Sequence, residues 1–233
     1  MSGDIHSGHR QRMRDRYREQ GMDAFADHEA LELLLYNAIP RADVNPLAHT
    51  LLDRFGSFRA VLDASPEELM EVEGVGQNTA SLFQLVKDIN RRYLLDVLKA
   101  EKSRSLATPE EAGRFFLPHF YGIREERVYA AFVDEQLRLL RCRLLFEGSL
   151  RDVPVSARRL AEAAIREKAA GLLLAHNHPL GQAIPSLEDR EATLGLKAAL
   201  EAVQIRLLDH IIVSGGEYYS MAEHGCFCKN QAY

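Results

Sequence analysis

The decisive stretch of the chain is residues 176–189, His-Asn-His-Pro-Leu-Gly-Gln-Ala-Ile-Pro-Ser-Leu-Glu-Asp. It follows an apolar run at 171–175, Gly-Leu-Leu-Leu-Ala, which predicts a buried strand. Because alternate residues of a strand face the same side, His176 and His178 are expected to point at one place. A helix that begins just before Asp189 would bring this carboxylate there too. Two imidazoles and a carboxylate, with a fourth position for water, form the ligand set of a catalytic zinc site. The stretch therefore predicts a Zn²⁺ centre.

Each of these residue types also has a simpler interpretation. Ser186 is expected to cap the helix, which makes Asp189 its third residue and a favourable partner for the helix dipole without any metal. A His-x-His pair also occurs by chance in cores and on surfaces. Pro179 and Gly181 favour a turn directly after the pair, as a site at a strand end requires.

Length and composition set the broad class. A chain of 233 residues suits one large domain or two small ones. No apolar run approaches the roughly 18 residues of a membrane span, and the first residues lack the pattern of a secretory signal. Three cysteines do not indicate a disulfide framework, so we expect a cytoplasmic protein. The net charge of -5 argues against a generally basic nucleic-acid binder.

The first hundred residues read as entirely helical. Asp27 and Asn45 are expected to cap two helices, and Ser65 begins a capping box. Glu73-Gly-Val-Gly76 predicts a tight turn into a helix from about Gln77 to Leu98.

This turn resembles that of a helix-hairpin-helix module. In such modules backbone N–H groups at a helix N-terminus suit a phosphate, so Gly74 and Gly76 are candidate nucleic-acid contacts. Glu71 and Glu73 oppose that interpretation with their negative charge. The alternative is a helical packing or protein-docking domain.

The second half reads as α/β. Residues 99–107 look like a polar linker, and Thr108 begins a second capping box. Strands are expected over 128–133, 137–146 and 205–213, with a helix capped by Ser156 between the second strand and the decisive stretch. The pattern predicts a mixed sheet flanked by helices, and two domains over residues 1–100 and 108–224.

The motif His-x-His-Pro…Pro-Ser-x-x-Asp resembles that of JAMM (MPN-plus) metalloproteases. The wider chain resembles the bacterial RadC family, through Gly8-His9-Arg10 and residues 32–35, 38–41 and 208–213 as well as the hairpin. This resemblance covers nearly the whole chain. It implies a JAMM/cytidine-deaminase-like sheet, an N-terminal all-α helix-hairpin-helix domain, and Zn²⁺ bound by His176, His178 and Asp189.

The resemblance also implies a glutamate at the start of the first long strand as general acid and base. Counting eight residues back from Asp134 assigns this role to Glu126, with Glu125 and Glu147 as the other candidates. Ser186 would donate a hydrogen bond to the oxyanion of the transition state. Because zinc lowers the pKa of a bound water to roughly 7, the implied reaction is hydrolysis of an amide.

Some features depart from the pattern or lie outside it. Residues 148–152 and 155–159 differ from the segments that family members often carry after the second strand. His210 is expected to be a structural histidine or a neighbour of a metal ligand rather than a ligand itself. The tail at 226–228, Cys-Phe-Cys with His224 nearby, has weak metal-binding character.

The leading hypothesis is a zinc-dependent, metallopeptidase-like hydrolase that cleaves a peptide or isopeptide bond in a protein or peptide substrate. The alternative is a DNA-binding, repair- or recombination-associated protein that uses the helix-hairpin-helix module, with a metal domain that hydrolyses nothing. Weak DNA contact through the N-terminal domain is compatible with both hypotheses, and no membrane partner is expected. Nucleotide deamination is disfavoured because the Pro-Cys-x-x-Cys ligand pair is missing from the sequence.

Overall fold

The chain forms two compact units, with the boundary in the sequence between Asn90 and Arg91. In the computed structural model, residues 5–100, 104–147 and 157–227 are described. The N-terminal unit is helical, and its last helix continues into the second unit. The elements are α1 (Ile5–Gln20), a 3₁₀ turn (Met22–Ala24), α2 (Asp27–Ala38), α3 (Asn45–Phe55), α4 (Phe58–Asp63), α5 (Pro66–Met70) and α6 (Gln77–Ala100). No helix among the described residues is both long enough and apolar enough to cross a membrane.

The helix ends of this unit follow mostly from local sequence. The predicted capping box at Ser65 is confirmed: its Oγ accepts from the N–H of Glu68, and the Glu68 carboxylate accepts from the N–H of Ser65 at 2.6 Å. Gly56 ends α3 with φ of +87°, a left-handed conformation that glycine adopts without strain.

The predicted caps at Asp27 and Asn45 are wrong, because each residue is the first of its helix rather than the residue before it. The Asn45 amide instead donates to the buried carboxylate of Glu32 at 2.7 Å. A buried carboxylate needs hydrogen-bond donors. Because the Asn45 side chain donates to Glu32, it does not cap the end of α3. At α2 the Glu29 carboxylate accepts the N–H of Ala26 at 3.0 Å, so the third residue performs the capping.

The second unit is a mixed five-stranded sheet covered by helices, which confirms the predicted fold class. Its strand order is β2-β1-β3-β4-β5, and β3 and β4 are the parallel pair. The elements are α7 (Pro109–Phe120), β1 (Arg127–Val133), β2 (Leu139–Glu147), α8 (Ala157–Glu167), β3 (Gly171–Asn177), α9 (Leu187–Glu201), β4 (Arg206–Ser214) and β5 (Glu217–Ser220).

Apolar side chains on both faces of the sheet hold this unit together. On one face Phe115 and Phe116 of α7 pack against β1, β3 and β4. On the other face α8 and α9 cover Phe132 and Leu174, which are fully buried. Each such side chain contributes about 1.5–3 kcal/mol by leaving water. Every residue of β3 is buried, as the apolar run predicts.

The antiparallel pairing of β1 with β3 determines which residues meet at the sheet edge. Val128 lies opposite His176, so the beginning of β1 and the end of β3 share one edge. The residue just before β1 and those just after β3 are therefore close in space, although some 50 positions separate them in the sequence.

Two segments differ from expectation. The return strand begins at Leu139 because Leu137 has φ of +59° and closes a turn by donating its N–H to Asp134 O. Leu106, in the predicted linker, is buried and donates its N–H to Leu137 O, so the end of that segment packs onto the sheet. Ser156 and most of the segments 148–152 and 155–159 lie outside the described residues.

A histidine in α7 is held neutral by its surroundings. The ring of His119 packs against Tyr129 with centroids 5.0 Å apart, and its Nδ1 donates to Phe115 O. Burial lowers the pKa of His119 to about 4. The positive charges of Arg91 and Lys99 act in the same direction, and the hydrogen bond to Phe115 opposes them.

Candidate metal centre

β3 and α9 bring the two histidines and the aspartate of the decisive stretch together. His176 Nε2 lies 2.9 Å from His178 Nε2, and each Nε2 lies 3.4 Å from one oxygen of the Asp189 carboxylate. One ligand atom from each residue falls within 4.8 Å of the others. In the described part of the chain this is the one group of three or more His, Cys, Asp or Glu side chains with such spacing.

Asp189 and Ser186 cap α9 at the same time. Ser186 Oγ accepts the N–H of Asp189, and the Asp189 carboxylate accepts both the N–H of Ser186 at 2.8 Å and its hydroxyl at 2.7 Å. The predicted capping role of Ser186 is thus confirmed. Burial alone would raise the pKa of Asp189, but the polar contacts of its carboxylate with His176 and His178 and its hydrogen bond from Ser186 hold it well below its ordinary value.

Each histidine is oriented through its second ring nitrogen. His178 Nδ1 donates to Gln182 O at 3.0 Å, in the turn after β3. His176 Nδ1 lies 2.8 Å from His210 Nε2 on β4. His210 is therefore a neighbour of the site, and its own ring does not join the cluster.

The donor set suits a divalent metal ion. His176, His178 and Asp189 direct two ring nitrogens and a carboxylate at one point, whereas both Nδ1 atoms are engaged elsewhere. Two imidazole nitrogens and an anionic oxygen in contact are mutually unfavourable unless a cation or a proton lies among them. Two imidazoles and one carboxylate are the ligands typical of a zinc site that keeps one coordination position open.

The electrostatics of the two rings differ because their exposure differs. His176 is buried, and burial lowers its pKa. The His178 side chain is 19% exposed, and its hydrogen bond with Asp189 raises its pKa. The negative charge of Glu126 acts to raise the pKa of both rings. The structure thus places the Glu126 carboxylate within electrostatic reach of both histidines.

The other two glutamate candidates lie in different settings. Glu125 is exposed. Glu147, at the end of β2, pairs with the Arg127 guanidinium at 3.1 Å. Glu126 is among the charges that act on both histidines, and its role as general acid and base remains a prediction.

The residue between the two histidines clamps the segment that carries Glu126. The backbone ladder between β1 and β3 ends at the pair Val128 and His176. Beyond it, the Asn177 side chain accepts the N–H of Arg127 at 2.8 Å and donates to Glu125 O at 3.0 Å. The two peptide groups that flank Glu126 are thus fixed by one buried amide. The sequence did not predict this contact, because it depends on the register of two distant strands.

The other predicted sites involve other elements of the chain. Gly74 and Gly76 belong to the N-terminal unit, where Gly74 has φ of +92° in the turn before α6. Glu71 beside them pairs with Arg54, and a nucleic-acid contact at the two glycines remains a prediction. His224 stacks on Tyr219 and hydrogen-bonds Ser220 O. Cys228 lies outside the described residues.

Comparison with known proteins relates both units to known sequence families. Residues 106–226 match the family described as RadC-like JAB domain, and residues 6–81 match the family described as UPF0758 N-terminal. A UPF0758 protein of Vibrio parahaemolyticus is 36% identical over 212 residues, which cover 91% of this chain and 94% of that protein. A UPF0758 protein of Burkholderia mallei is 37% identical over 215 residues, covering 91% and 76% respectively.

Proposed function

The chain belongs to the RadC family of JAB-domain proteins, and we propose that it is a zinc-dependent hydrolase that cleaves a peptide or isopeptide bond. The observation that carries the proposal is the convergence of His176 Nε2, His178 Nε2 and the Asp189 carboxylate on one point. These three residues would hold the ion. Zinc in such a site supplies Lewis acidity, which polarises a carbonyl and makes water a better nucleophile near neutral pH.

Glu126 is proposed as the group that moves protons. Its backbone is fixed by Asn177, and its carboxylate acts electrostatically on both histidines. In hydrolysis it accepts a proton from the attacking water as the new C–O bond forms. It then donates that proton to the amine nitrogen as the C–N bond breaks. Proton transfer by a positioned side chain contributes about 10²–10⁴-fold to the rate.

Ser186 is proposed to stabilise the oxyanion. Its hydroxyl proton points to Asp189, while its oxygen accepts the N–H of the same residue. Rotation about the C–O bond releases the proton toward substrate without breaking the bond that caps α9. The capping role and the catalytic role are therefore compatible.

A protein or peptide is the proposed substrate class. Leu180, Ile184 and Leu187 lie between the second histidine and the first turn of α9, and all three are large, exposed apolar side chains. Exposed apolar side chains beside a candidate catalytic site suit the side chains of a polypeptide better than a small polar ligand.

The test combines zinc analysis with a peptide-library cleavage assay on the full chain. The wild type is expected to bind one zinc per chain, and His178→Ala to lose it. Glu126→Gln should keep the zinc and lose cleavage by about 10²-fold or more. The matched control is Glu125→Gln, which changes the exposed neighbouring carboxylate and should cleave like the wild type.

Two results would contradict the proposal. One is a wild-type chain that binds no zinc at micromolar concentrations. The other is cleavage that survives Glu126→Gln, or that falls equally in Glu125→Gln. A trapped complex between the Glu126→Gln protein and a cellular polypeptide would additionally identify the substrate.

A further inference from the structure

A row of buried polar groups runs from His176 away from the metal-facing side. His176 Nδ1 lies 2.8 Å from His210 Nε2, and His210 Nδ1 lies 2.6 Å from Thr193 Oγ1. The Thr193 hydroxyl in turn lies 2.5 Å from Asp189 O. His176 and His210 are 1% and 3% exposed and Thr193 is fully buried, so water does not compete for these bonds. The row links β3, β4 and α9.

The direction of every bond in this row follows from its last member. Two oxygens 2.5 Å apart need a proton between them and a carbonyl oxygen has none, so the Thr193 hydroxyl donates its single proton to Asp189 O rather than to Met221 Sδ, which lies 3.7 Å away. Its remaining neighbour in the row, His210 Nδ1, must then be the donor to Thr193 Oγ1. A neutral His210 has no second proton, so its Nε2 accepts from His176 Nδ1–H. The His176 ring therefore carries its proton on Nδ1, and its Nε2 lone pair faces His178 and Asp189.

The neutral state of His210 follows from its surroundings. Its two ring nitrogens contact an imidazole and a hydroxyl, both uncharged. A positive charge in this buried place would lose its hydration without gaining a directly bonded counter-charge.

We propose that Thr193 and His210 are positioning residues that fix the tautomer of His176, so that its Nε2 is the atom presented to the metal. This inference rests on the metal site of the proposed function. It also assigns a reason for Thr193 to lie one turn after Asp189 on α9: the same helix supplies one ligand and the group that orients another.

The second histidine provides an internal reference. His178 Nδ1 donates directly to Gln182 O, a backbone carbonyl. No other side chain sets the tautomer of His178, so substitutions at Thr193 or His210 should leave that tautomer unchanged. The two candidate ligands thus both present Nε2, but a side chain orients His176 whereas a backbone carbonyl orients His178.

The directions of the hydrogen bonds in this row predict the consequence of removing the Thr193 hydroxyl. Thr193→Val keeps the shape of the side chain and deletes the acceptor for His210 Nδ1–H. The proton of His210 is then better placed on Nε2, where it donates to His176 Nδ1. His176 must in turn carry its proton on Nε2, the ligand atom. A metal then binds only after that proton has moved, and loss of such a supporting contact typically lowers metal affinity by about 10–100-fold.

The experiment uses the metal-free full chain labelled with ¹⁵N, at mildly alkaline pH. Two-bond ¹⁵N–¹H spectra distinguish the protonated from the unprotonated ring nitrogen of each histidine. We expect Nδ1–H at His176 and His210 in the wild type and in Thr193→Ser, which keeps the hydroxyl. Thr193→Val should shift both rings to Nε2–H and leave His178 unchanged. Zinc affinity, measured by competition with a chromophoric chelator, should fall about 10–100-fold in Thr193→Val alone.

A wild-type His176 ring protonated on Nε2 would overturn the proposal, as would a Thr193→Val spectrum identical to the wild type. If Thr193→Val does not fold, His210→Gln and His210→Leu decide instead. The Gln amide can accept from His176 and donate to Thr193, whereas Leu can do neither, so equal zinc affinity in these two variants would also overturn it. The tautomers are read without metal or substrate. A chain with the expected tautomers that cleaves nothing would therefore refute the proposed hydrolase while leaving this inference intact.

Discussion

Replacement of Asn177 by alanine isolates the clamp around Glu126. The substitution deletes two hydrogen bonds and leaves the N–H of Arg127 and the carbonyl of Glu125 without their side-chain partner. An unsatisfied buried group costs about 1–3 kcal/mol. Because Glu125 is exposed and Arg127 half-buried, water recovers part of that, and we expect the free energy of local opening at the Arg127 amide to fall by about 2 kcal/mol.

Native-state hydrogen exchange measures this loss of free energy at a single amide, that of Arg127. In Asn177→Ala the Arg127 amide should exchange about 30-fold faster, as 2 kcal/mol implies, beyond any change at Ala130 in the middle of β1. Asn177→Asp is the matched control. It keeps an acceptor for the Arg127 N–H and loses only the donor to Glu125, so Arg127 should stay protected.

Uniform acceleration across β1 in Asn177→Ala would refute the reasoning, because it would mean general destabilisation rather than a local clamp. In the cleavage assay, the losses in Asn177→Ala and Glu126→Gln should not add in the double variant, since both act through one carboxylate. Additive losses would show that Asn177 acts on something other than Glu126.

Two further predictions concern the stability of the second unit. His119 has a folded pKa of about 4 against an ordinary 6.5, so its neutral form stabilises the fold above pH 6.5. That contribution, roughly 3 kcal/mol, is lost as the pH falls from 6.5 to 4. Urea titrations across this range should therefore show a shallower pH dependence in His119→Phe, and an unchanged slope would contradict the assignment. Gly113→Ala should destabilise by about 1–3 kcal/mol, because a Cβ there would lie 2.5 Å from the ring of Tyr218. Gly195→Ala, in a helix with open space at that position, should stabilise by about 0.5–1 kcal/mol, and equal thermal shifts for the two glycines would refute the packing argument.

The features that were predicted from the sequence depend on short spacings. Period-two alternation puts His176 and His178 on one side of a strand, and the Ser-x-x-Asp spacing is that of a capping box. Both are properties of a few consecutive residues, and the structure has both. The fold class followed similarly from local patterns and is confirmed, as is membership of the RadC family.

What the sequence could not predict depends on register between distant segments. Asn177 reaches the peptides around Glu126 only because Val128 pairs with His176, and a slip of one residue would turn that amide away. His210 reaches His176 through the parallel pairing of β3 with β4, which contains an irregularity between Leu172 and Leu173. No local pattern in the sequence encodes such an irregularity.

The arrangement of ligands favours a catalytic rather than a structural role for the proposed metal. Structural zinc sites use four protein ligands and often supply the folding free energy of a small domain. Here three side chains converge, and one of them, His178, is partly open to solvent. The ligands sit on β3 and α9, which are already held by apolar clusters on both faces of the sheet and by the capping box at Ser186. Because packing and hydrogen bonds hold the ligands in place, the fold would not need an ion to close it, and a metal held by these three residues would be free to serve catalysis.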